Sequence, residues 1–133
     1  WGFNDEGQLG DGTTTNRTTP TQIGSATDWS AIAGGRDHTV ALKSDGTLWA
    51  WGDNLYGGLG DGTTVSKDTP TQESTGATDW TAIAGGSAIT VALKSNGTLW
   101  AWGYNGKGAI GDGTTTNRTT PVPICLLSAV ASC

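Results

Sequence analysis

The sequence contains no methionine, one histidine and two cysteines, and charged residues make up only 14% of its 133 positions. Its seven lysines and arginines are scattered and the net charge is −5, so a nucleic-acid surface has no electrostatic basis. No apolar run approaches the roughly 20 residues that span a bilayer, so we predict no membrane span. Because no methionine stands at position 1, we expect a processed chain or a segment of a longer one.

Cys125 and Cys133 lie close together near the end of the sequence, far from the only histidine. A structural zinc site needs about four such ligands, so we predict neither a metal nor another cofactor. Two unpaired thiols and one disulfide both remain open, since pairing depends on a geometry that spacing alone does not give.

Three near-copies of one segment fill the chain. Each copy opens with Trp-Gly, at residues 1, 51 and 102, and continues to Gly-Asp-Gly-Thr-Thr, which begins at residues 10, 60 and 111. A proline follows in each copy, at residues 20, 70 and 121. A fixed period of this kind is typical of stacked supersecondary units that bury their apolar faces against one another.

Each copy carries the signals of short β-strands. Residues 28–33 form a mostly apolar run that ends at two glycines, and residues 38–43 form a second β-rich run. Asp45-Gly46 then predicts a tight hairpin turn, and the next copy has Asn96-Gly97 at the same place. These signals favour antiparallel strands and give no support to helices.

The strand after that turn carries a pair of tryptophans. Trp49 and Trp51 are two residues apart, so both indoles project from one face of the strand. Pro70 places the following segment at a sheet edge, because proline cannot donate a ladder hydrogen bond. Four short antiparallel strands per repeat predict an all-β fold built from β-propeller blades.

The repeat also sets the predicted boundaries. Residues 28–77 and 78–126 form complete blades. Residues 1–27 form the third and fourth strands of a partial blade, and residues 127–133 form the first strand of a further blade. We therefore expect about two and a half blades.

The motifs resemble one known repeat family. Trp-Gly-x-Asn-x-x-Gly, Leu-Gly-Asp-Gly-Thr-Thr and Ala-Gly-Gly-x-x-His-Thr-Val-Ala-Leu are similar to the regulator of chromosome condensation repeat, in its bacterial form. The resemblance implies a seven-bladed propeller, completed either within a longer chain or by several copies. Members include an exchange factor for a small nuclear GTPase, a secreted β-lactamase inhibitor and bacterial surface proteins, so the fold alone does not choose a function.

Two kinds of residue invite a chemical interpretation. His38 is the sole histidine, and nothing near it in the sequence supplies the partner that a catalytic base needs, so we favour a hydrogen bond between blades. Asp11, Asp61 and Asp112 recur in Asp-Gly loops, which calcium sites also use. Each loop offers only one carboxylate, so we favour a turn-forming role. We predict no catalytic and no metal-binding residues.

Two surface roles remain open. Asn16, Asn96 and Asn117 each begin an Asn-x-Thr glycosylation pattern, although the repeat itself explains why the pattern recurs. The tryptophan pairs suit either sugar stacking or a packed core, and their identical placement in every copy favours the core.

Loop positions that differ between copies are the candidate interaction residues. Scaffold positions repeat because the geometry requires them, whereas aromatic and charged residues on rigid loops are where a partner is recognised. We name these candidates: Phe3, Asp5, Glu6, Arg36, Asp37, Asp53, Leu55, Tyr56, Tyr104 and Lys107.

These observations favour a non-enzymatic scaffold for protein–protein interactions, secreted by or displayed on a bacterium. We expect a protein partner or further copies of the repeat, with self-association through open blade faces. The alternatives are a structural component of an extracellular fibre or surface layer, an exchange factor-like regulator, and an enzyme inhibitor. The sequence contains no phosphate-binding loop with a lysine and no nucleophile–base pair. It therefore gives no argument for an enzyme.

Overall fold

The computed structural model describes residues 1–124 and contains two four-stranded antiparallel sheets, which confirms the predicted all-β class. Sheet 1 runs in the order β1-β2-β3-β4 and sheet 2 in the order β5-β6-β7-β8. The described residues include no helix capable of crossing a membrane. The strands are β1 (Trp29–Gly34), β2 (His38–Lys43), β3 (Leu48–Gly52), β4 (Lys67–Gln72), β5 (Trp80–Gly85), β6 (Ile89–Lys94), β7 (Leu99–Gly103) and β8 (Arg118–Pro123).

The β2–β3 turn forms where the Asp-Gly pair predicted it. The amide of Lys43 donates to the carbonyl of Thr47 (3.0 Å), and the amide of Gly46 donates back to the carbonyl of Lys43 (3.0 Å). Gly46 has a φ of 80° and its counterpart Gly97 a φ of 82°. This left-handed conformation costs glycine little, which explains why the glycine stays while the residue before it varies.

The proline-bearing strands lie at the sheet edges. Pro70 lies in β4, which among the strands of residues 1–124 pairs only with β3, and Pro121 lies in the corresponding strand β8. An edge strand tolerates a missing amide donor, so the predicted edge position is confirmed.

Each sheet has two different faces. On one face of sheet 1, which we call the Trp face, Trp29 contacts both Trp49 (ring centroids 6.3 Å apart) and Trp51 (5.9 Å). Leu48 and Ala50 alternate with these tryptophans and therefore lie on the opposite, aliphatic face. The predicted sharing of one face by the tryptophan pair is confirmed.

The two sheets pack with the aliphatic face of sheet 1 against the Trp face of sheet 2. Leu42 and Leu48 form one buried cluster with Trp80 and Trp102. Ile83 of sheet 2 contacts this cluster and also a second one around Val40. Burying large side chains stabilises the fold by roughly 25 cal/mol per Å² of apolar surface, so this interface is the principal core.

The first 27 residues hold a loop of the same kind as the β3–β4 loop. Where the sequence predicts a third and a fourth strand, the structure has one antiparallel bridge, between Gly2 and Arg17. The equivalent pair in sheet 1 is Gly52 with Lys67. Only the last two positions of a third strand, Trp1 and Gly2, fall within residues 1–27, which leaves too few residues for a ladder.

Apolar surface remains open on both outer faces of the described residues. On the Trp face of sheet 1, Ile32 is exposed beside a pocket of about 430 Å³ that Trp29 and Trp51 also line. On the far side of sheet 2, Leu93 and Leu99 are partly exposed. The predicted first strand of a further blade, residues 127–133, and both cysteines lie outside the described residues.

Candidate functional site

A buried asparagine organises each long loop. The Nδ2 atom of Asn54 donates to the carbonyls of Thr63 (3.0 Å) and Val65 (3.2 Å) and to Oδ1 of Asp61 (3.1 Å). Its Oδ1 atom accepts the amide of Leu59 at 3.0 Å. Asn4 and Asn105 make the same contacts in their own loops. Because a fully satisfied buried amide fixes its surroundings, these loops are rigid platforms.

The repeated aspartate closes the same loop. Oδ1 of Asp112 accepts the amide (2.9 Å) and the hydroxyl (2.7 Å) of Thr114, and Oδ2 accepts Nε of Arg118 (2.6 Å). The Thr114 hydroxyl is the largest cause that lowers the pKa of Asp112, to about 2. Burial opposes it, and the hydrogen bond from Arg118 lowers the pKa further. Thr13 and Arg17 do the same to Asp11. These carboxylates are engaged in turns, and residues 1–124 contain no cluster of three metal-ligating side chains.

The first glycine of Gly-Asp-Gly lies against the neighbouring repeat. A Cβ atom on Gly60 would lie 2.6 Å from Nε1 of Trp102, and one on Gly10 would lie 2.6 Å from Nε1 of Trp51. The long loops that contain Gly10 and Gly60 therefore each pack on a tryptophan of the following sheet.

All ten candidate interaction residues lie at one end of the sheets. Strands β1 and β3 both finish there, so the β1–β2 and β3–β4 loops meet, and the amide of Asp53 donates to the carbonyl of Asp37 (2.8 Å). The amide of Tyr104 donates to the carbonyl of Ala88 (2.9 Å) in the same way in sheet 2. We call this end the loop rim; it consists of residues 3–8, 35–37, 53–58, 86–88 and 104–108.

Aromatic side chains project from the loop rim. Tyr56 and Tyr104 come from neighbouring repeats, and their ring centroids lie 5.0 Å apart with an interplanar angle of 65°. Leu55 and Phe3 are exposed on the same rim. Exposed aromatic and aliphatic side chains on a rigid surface are typical of sites where proteins bind.

His38 lies beneath the loop rim, at the start of β2, and connects the two sheets. Its Nε2 atom lies 3.0 Å from the hydroxyl oxygen of Thr90, which itself donates to the carbonyl of Gly58 (2.7 Å). Burial lowers the pKa of His38, and the nearby carboxylates of Asp53 and Asp37 oppose this effect. The predicted hydrogen bond between repeats is confirmed.

The opposite end of the sheets, which we call the turn rim, holds the β2–β3 and β6–β7 turns, residues 44–47 and 95–98. Beside it, Lys43 lies between two indoles, with its Nζ atom 5.0 Å from the ring centroid of Trp29 and 4.9 Å from that of Trp49. Lys94 occupies the same position in sheet 2. Sequence reasoning missed these lysines, although their constant position at the end of a strand was a usable signal. Each ammonium group thus makes cation–π contacts with two indoles of its own sheet.

Glu73 is another residue that the sequence did not identify. Its buried carboxylate accepts the amide of Thr75 (2.6 Å), the Thr75 hydroxyl (2.7 Å), the amide of Ala77 (3.2 Å) and Nε1 of Trp80 (3.2 Å). The equivalent positions hold Ile23 and Ile124. Glu73 thus stabilises the linker between the two sheets, a role visible only once the contacts are known.

The three Asn-x-Thr asparagines are exposed at the surface. Oδ1 of Asn16 and Oδ1 of Asn117 each accept the backbone amide of a buried asparagine, at 2.6 and 2.8 Å. Oδ1 of Asn96 accepts the amide of Thr98 at 3.0 Å. These contacts give each asparagine a structural role in its turn, and glycosylation stays a prediction.

Comparison with solved structures finds the same fold. Prp20p from Saccharomyces cerevisiae, whose structure was determined together with its binding to Gsp1p and histones, matches with a TM-score of 0.77 at 24% identity, over 96% of this chain and 34% of Prp20p. Yeast RCC1 (Prp20) bound to Kap60 gives 0.77 and 24%, over 96% and 33%. Human WBSCR16 gives 0.74 and 20%, over 94% and 34%. The chain spans about a third of these β-propellers, so its sheets are propeller blades.

The sequence itself matches two family models. The model described as regulator of chromosome condensation (RCC1) repeat matches residues 1–42, 45–93 and 96–133. A second RCC1 repeat model matches residues 29–57 and 80–109. Each match follows the period of the tryptophan pairs and the Gly-Asp-Gly loops. The chain therefore belongs to the regulator of chromosome condensation (RCC1) repeat family.

Proposed function

We propose that this chain is a non-enzymatic module that binds a protein partner through its loop rim. The observation that carries the proposal is where the repeated positions and the variable positions lie in the structure. Positions that repeat between copies build the blades, and the ten candidate positions, which differ between copies, all lie on the loop rim. Such a surface presents different side chains on a constant frame, which is the arrangement expected of a binding scaffold.

The aromatic part of the rim is the proposed centre of binding. Tyr56 and Tyr104 form a supported pair rather than two separate side chains, and Leu55 adds an exposed apolar surface beside it. Interface residues that contribute most to affinity are commonly large aromatic side chains held in place before binding. The buried asparagines beneath these loops keep the entropic cost of binding low.

The structural relatives support a protein partner in general terms. Prp20p is described by its binding to Gsp1p and histones, and yeast RCC1 by its complex with Kap60. These are properties of those proteins. Their relevance to this chain is the shared scaffold, on which loops rather than blades determine the partner.

Site-specific photo-cross-linking tests the proposal. A photoreactive residue at Tyr56 or Lys107 on the loop rim should yield a discrete cross-linked protein in the native source. The same residue at Ser95, which is exposed on the turn rim, should not. Equal cross-linking at both rims, or none at the loop rim, would reject it.

A second candidate is nucleotide exchange on a small GTPase, which the likeness to the Gsp1p-binding Prp20p favours. A nucleotide-release assay with a small GTPase of this class decides it. Accelerated release that is lost on substituting Tyr56 and Tyr104 by alanine would establish exchange activity at the loop rim. Unchanged release would leave the binding module as the function.

A further inference from the structure

We propose that the turn rim carries a site of spontaneous covalent modification: Asn96 condenses with the backbone of Gly97, loses ammonia and becomes aspartate or isoaspartate. The observation behind it is an exposed Asn-Gly pair at the tip of the β6–β7 hairpin. The inference is independent of the proposed function, because this turn lies at the opposite end of the sheets from the loop rim.

The reaction needs only water and the chain itself. A base removes the proton of the Gly97 amide, and this nitrogen attacks Cγ of Asn96 to form a cyclic succinimide. The bond from Cγ to Nδ2 breaks, and Nδ2 takes up a proton and leaves as ammonia. Water then opens the ring at Cγ to give aspartate, or at the backbone carbonyl of Asn96 to give isoaspartate, whose main chain runs through the side chain.

The side chain of Asn96 is held in a way that suits this chemistry. Its Oδ1 atom accepts the amide (3.0 Å) and the hydroxyl (2.7 Å) of Thr98. Negative charge develops on this oxygen as the nitrogen attacks, and two donors that are already in place stabilise it. Within residues 1–124 the side chain makes no hydrogen bond through Nδ2, so the leaving group faces solvent.

Gly97 supplies a nitrogen that is lightly held. Its amide donates to the carbonyl of Lys94 (2.9 Å), and apart from its chain neighbours no atom lies within 4 Å of where a Cβ would be. A single exposed hydrogen bond at the tip of a hairpin opens readily. Because glycine has no side chain, nothing on this residue obstructs the approach of its nitrogen to Cγ of Asn96.

The chain contains a second Asn-Gly pair, Asn105-Gly106, which serves as an internal control. Asn105 is fully buried, and its Nδ2 atom donates to the carbonyls of Thr114 (3.0 Å) and Thr116 (3.1 Å). Its Oδ1 atom accepts the amide of Ile110 (3.0 Å). Ammonia leaves only after this loop opens, so Asn105 should react far more slowly than the exposed asparagine.

The two products differ in how they fit the turn. Asp45 stands at the position of Asn96 in sheet 1, and its Oδ1 atom accepts the amide (3.0 Å) and the hydroxyl (2.6 Å) of Thr47. The aspartate product therefore fits, and it adds one negative charge to a chain whose formal charge is −5. Isoaspartate lengthens the main chain by one carbon inside the turn, which disturbs the bond from the Lys94 amide to the Thr98 carbonyl (3.0 Å).

The test is a time course on the whole chain, shown by its mass to carry no glycan, at neutral and at mildly alkaline pH. Peptide mass spectrometry follows the replacement of NH by O at each asparagine, and a protein-isoaspartate methyltransferase detects isoaspartate. We expect Asn96 to react at least about tenfold faster than Asn105, because exposing the buried amide costs free energy. In urea the two rates should become similar.

Two pairs of proteins separate the roles of the turn residues. Thr98→Val removes a donor to Oδ1 and should slow the reaction about 2- to 10-fold, the worth of one hydrogen bond, whereas Thr98→Ser keeps that donor and the rate. Asn96→Asp, which copies Asp45, should unfold at the same urea concentration as the unreacted chain. The purified isoaspartate form should unfold at a lower one.

Each outcome decides the inference. Equal rates at Asn96 and Asn105 in the folded chain overturn it, and so does an absence of isoaspartate at Asn96. A difference between the two asparagines that persists in urea also overturns it, because the cause would then not be the fold. A Thr98→Val protein that reacts as fast as the Thr98→Ser protein contradicts the role given to the donors on Oδ1.

Discussion

Gly60 lies directly against the indole of Trp102 in the following blade. A Cβ atom at residue 60 would approach Nε1 of that indole to 2.6 Å, and the residue has a φ of 72°. The effect of the close contact can be separated from that of the left-handed backbone, because Gly62 has a similar φ of 84° but no neighbour closer than 3.9 Å. Packing against the tryptophan, in addition to backbone conformation, therefore restricts position 60 to glycine.

The Gly60→Ala substitution should destabilise the chain more than Gly62→Ala. Both add the strain of a left-handed alanine, about 1 kcal/mol. Only the first also forces an overlap with a buried indole, which typically costs a further 1–3 kcal/mol or so. Urea unfolding followed by tryptophan fluorescence measures the difference, and equal losses in the two proteins would show that the contact is not restrictive.

The charge on Glu73 should matter to stability because its buried carboxylate accepts four hydrogen bonds from the linker and from Trp80. Glu73→Ile copies the residue of the other repeats but leaves these donors unsatisfied, which we expect to cost about 2–5 kcal/mol. Glu73→Gln keeps one acceptor oxygen and should cost less. A Glu73→Ile protein as stable as the wild type in urea would contradict the assigned role.

The low pKa of Asp112 predicts a pH dependence at strongly acid pH. A folded-state pKa of about 2, lowered from 3.8, means that its contribution to the free energy of unfolding is complete above about pH 4 and is lost as the pH falls toward 2. The Thr114→Val substitution removes the hydroxyl that lowers the pKa most. The carboxyl carbon of Asp112 should then titrate at a higher pH in NMR, while Asp11 in its own loop stays at about 2.

Much of the fold could be predicted because the repeat presents the same physical pattern more than once. The Asp-Gly and Asn-Gly pairs identified the hairpin turns, Pro70 identified an edge strand, and the spacing of Trp49 and Trp51 identified their shared face. Each of these signals is local, since it depends on backbone geometry within a few residues. The number of blades in the complete ring stays a prediction.

Most specific side-chain contacts could not be predicted in the same way; for His38 a hydrogen bond between repeats was predicted, but not its partner Thr90. Glu73 and Thr90 look unremarkable in the sequence, because their partners are a linker in one case and a histidine 52 residues away in the other. Lys43 repeats as Lys94, but the sequence does not show that an ammonium group lies between two indoles. For the loop rim, comparison of the copies identified the variable residues, whereas the pairing of Tyr56 with Tyr104 required coordinates.

Packing of the aliphatic face of one blade against the Trp face of the next is the claim on which the rest depends, and a double-mutant cycle tests it most directly. Leu48→Ala and Trp102→Leu are made singly and together, and each protein is unfolded in urea. Val65→Ala, at an exposed loop position, replaces Leu48→Ala in a control cycle. We predict one cooperative transition and a coupling of about 0.5–3 kcal/mol for Leu48 with Trp102, against additivity in the control. Additive losses for Leu48 and Trp102, or separate transitions for the two blades, would contradict the account.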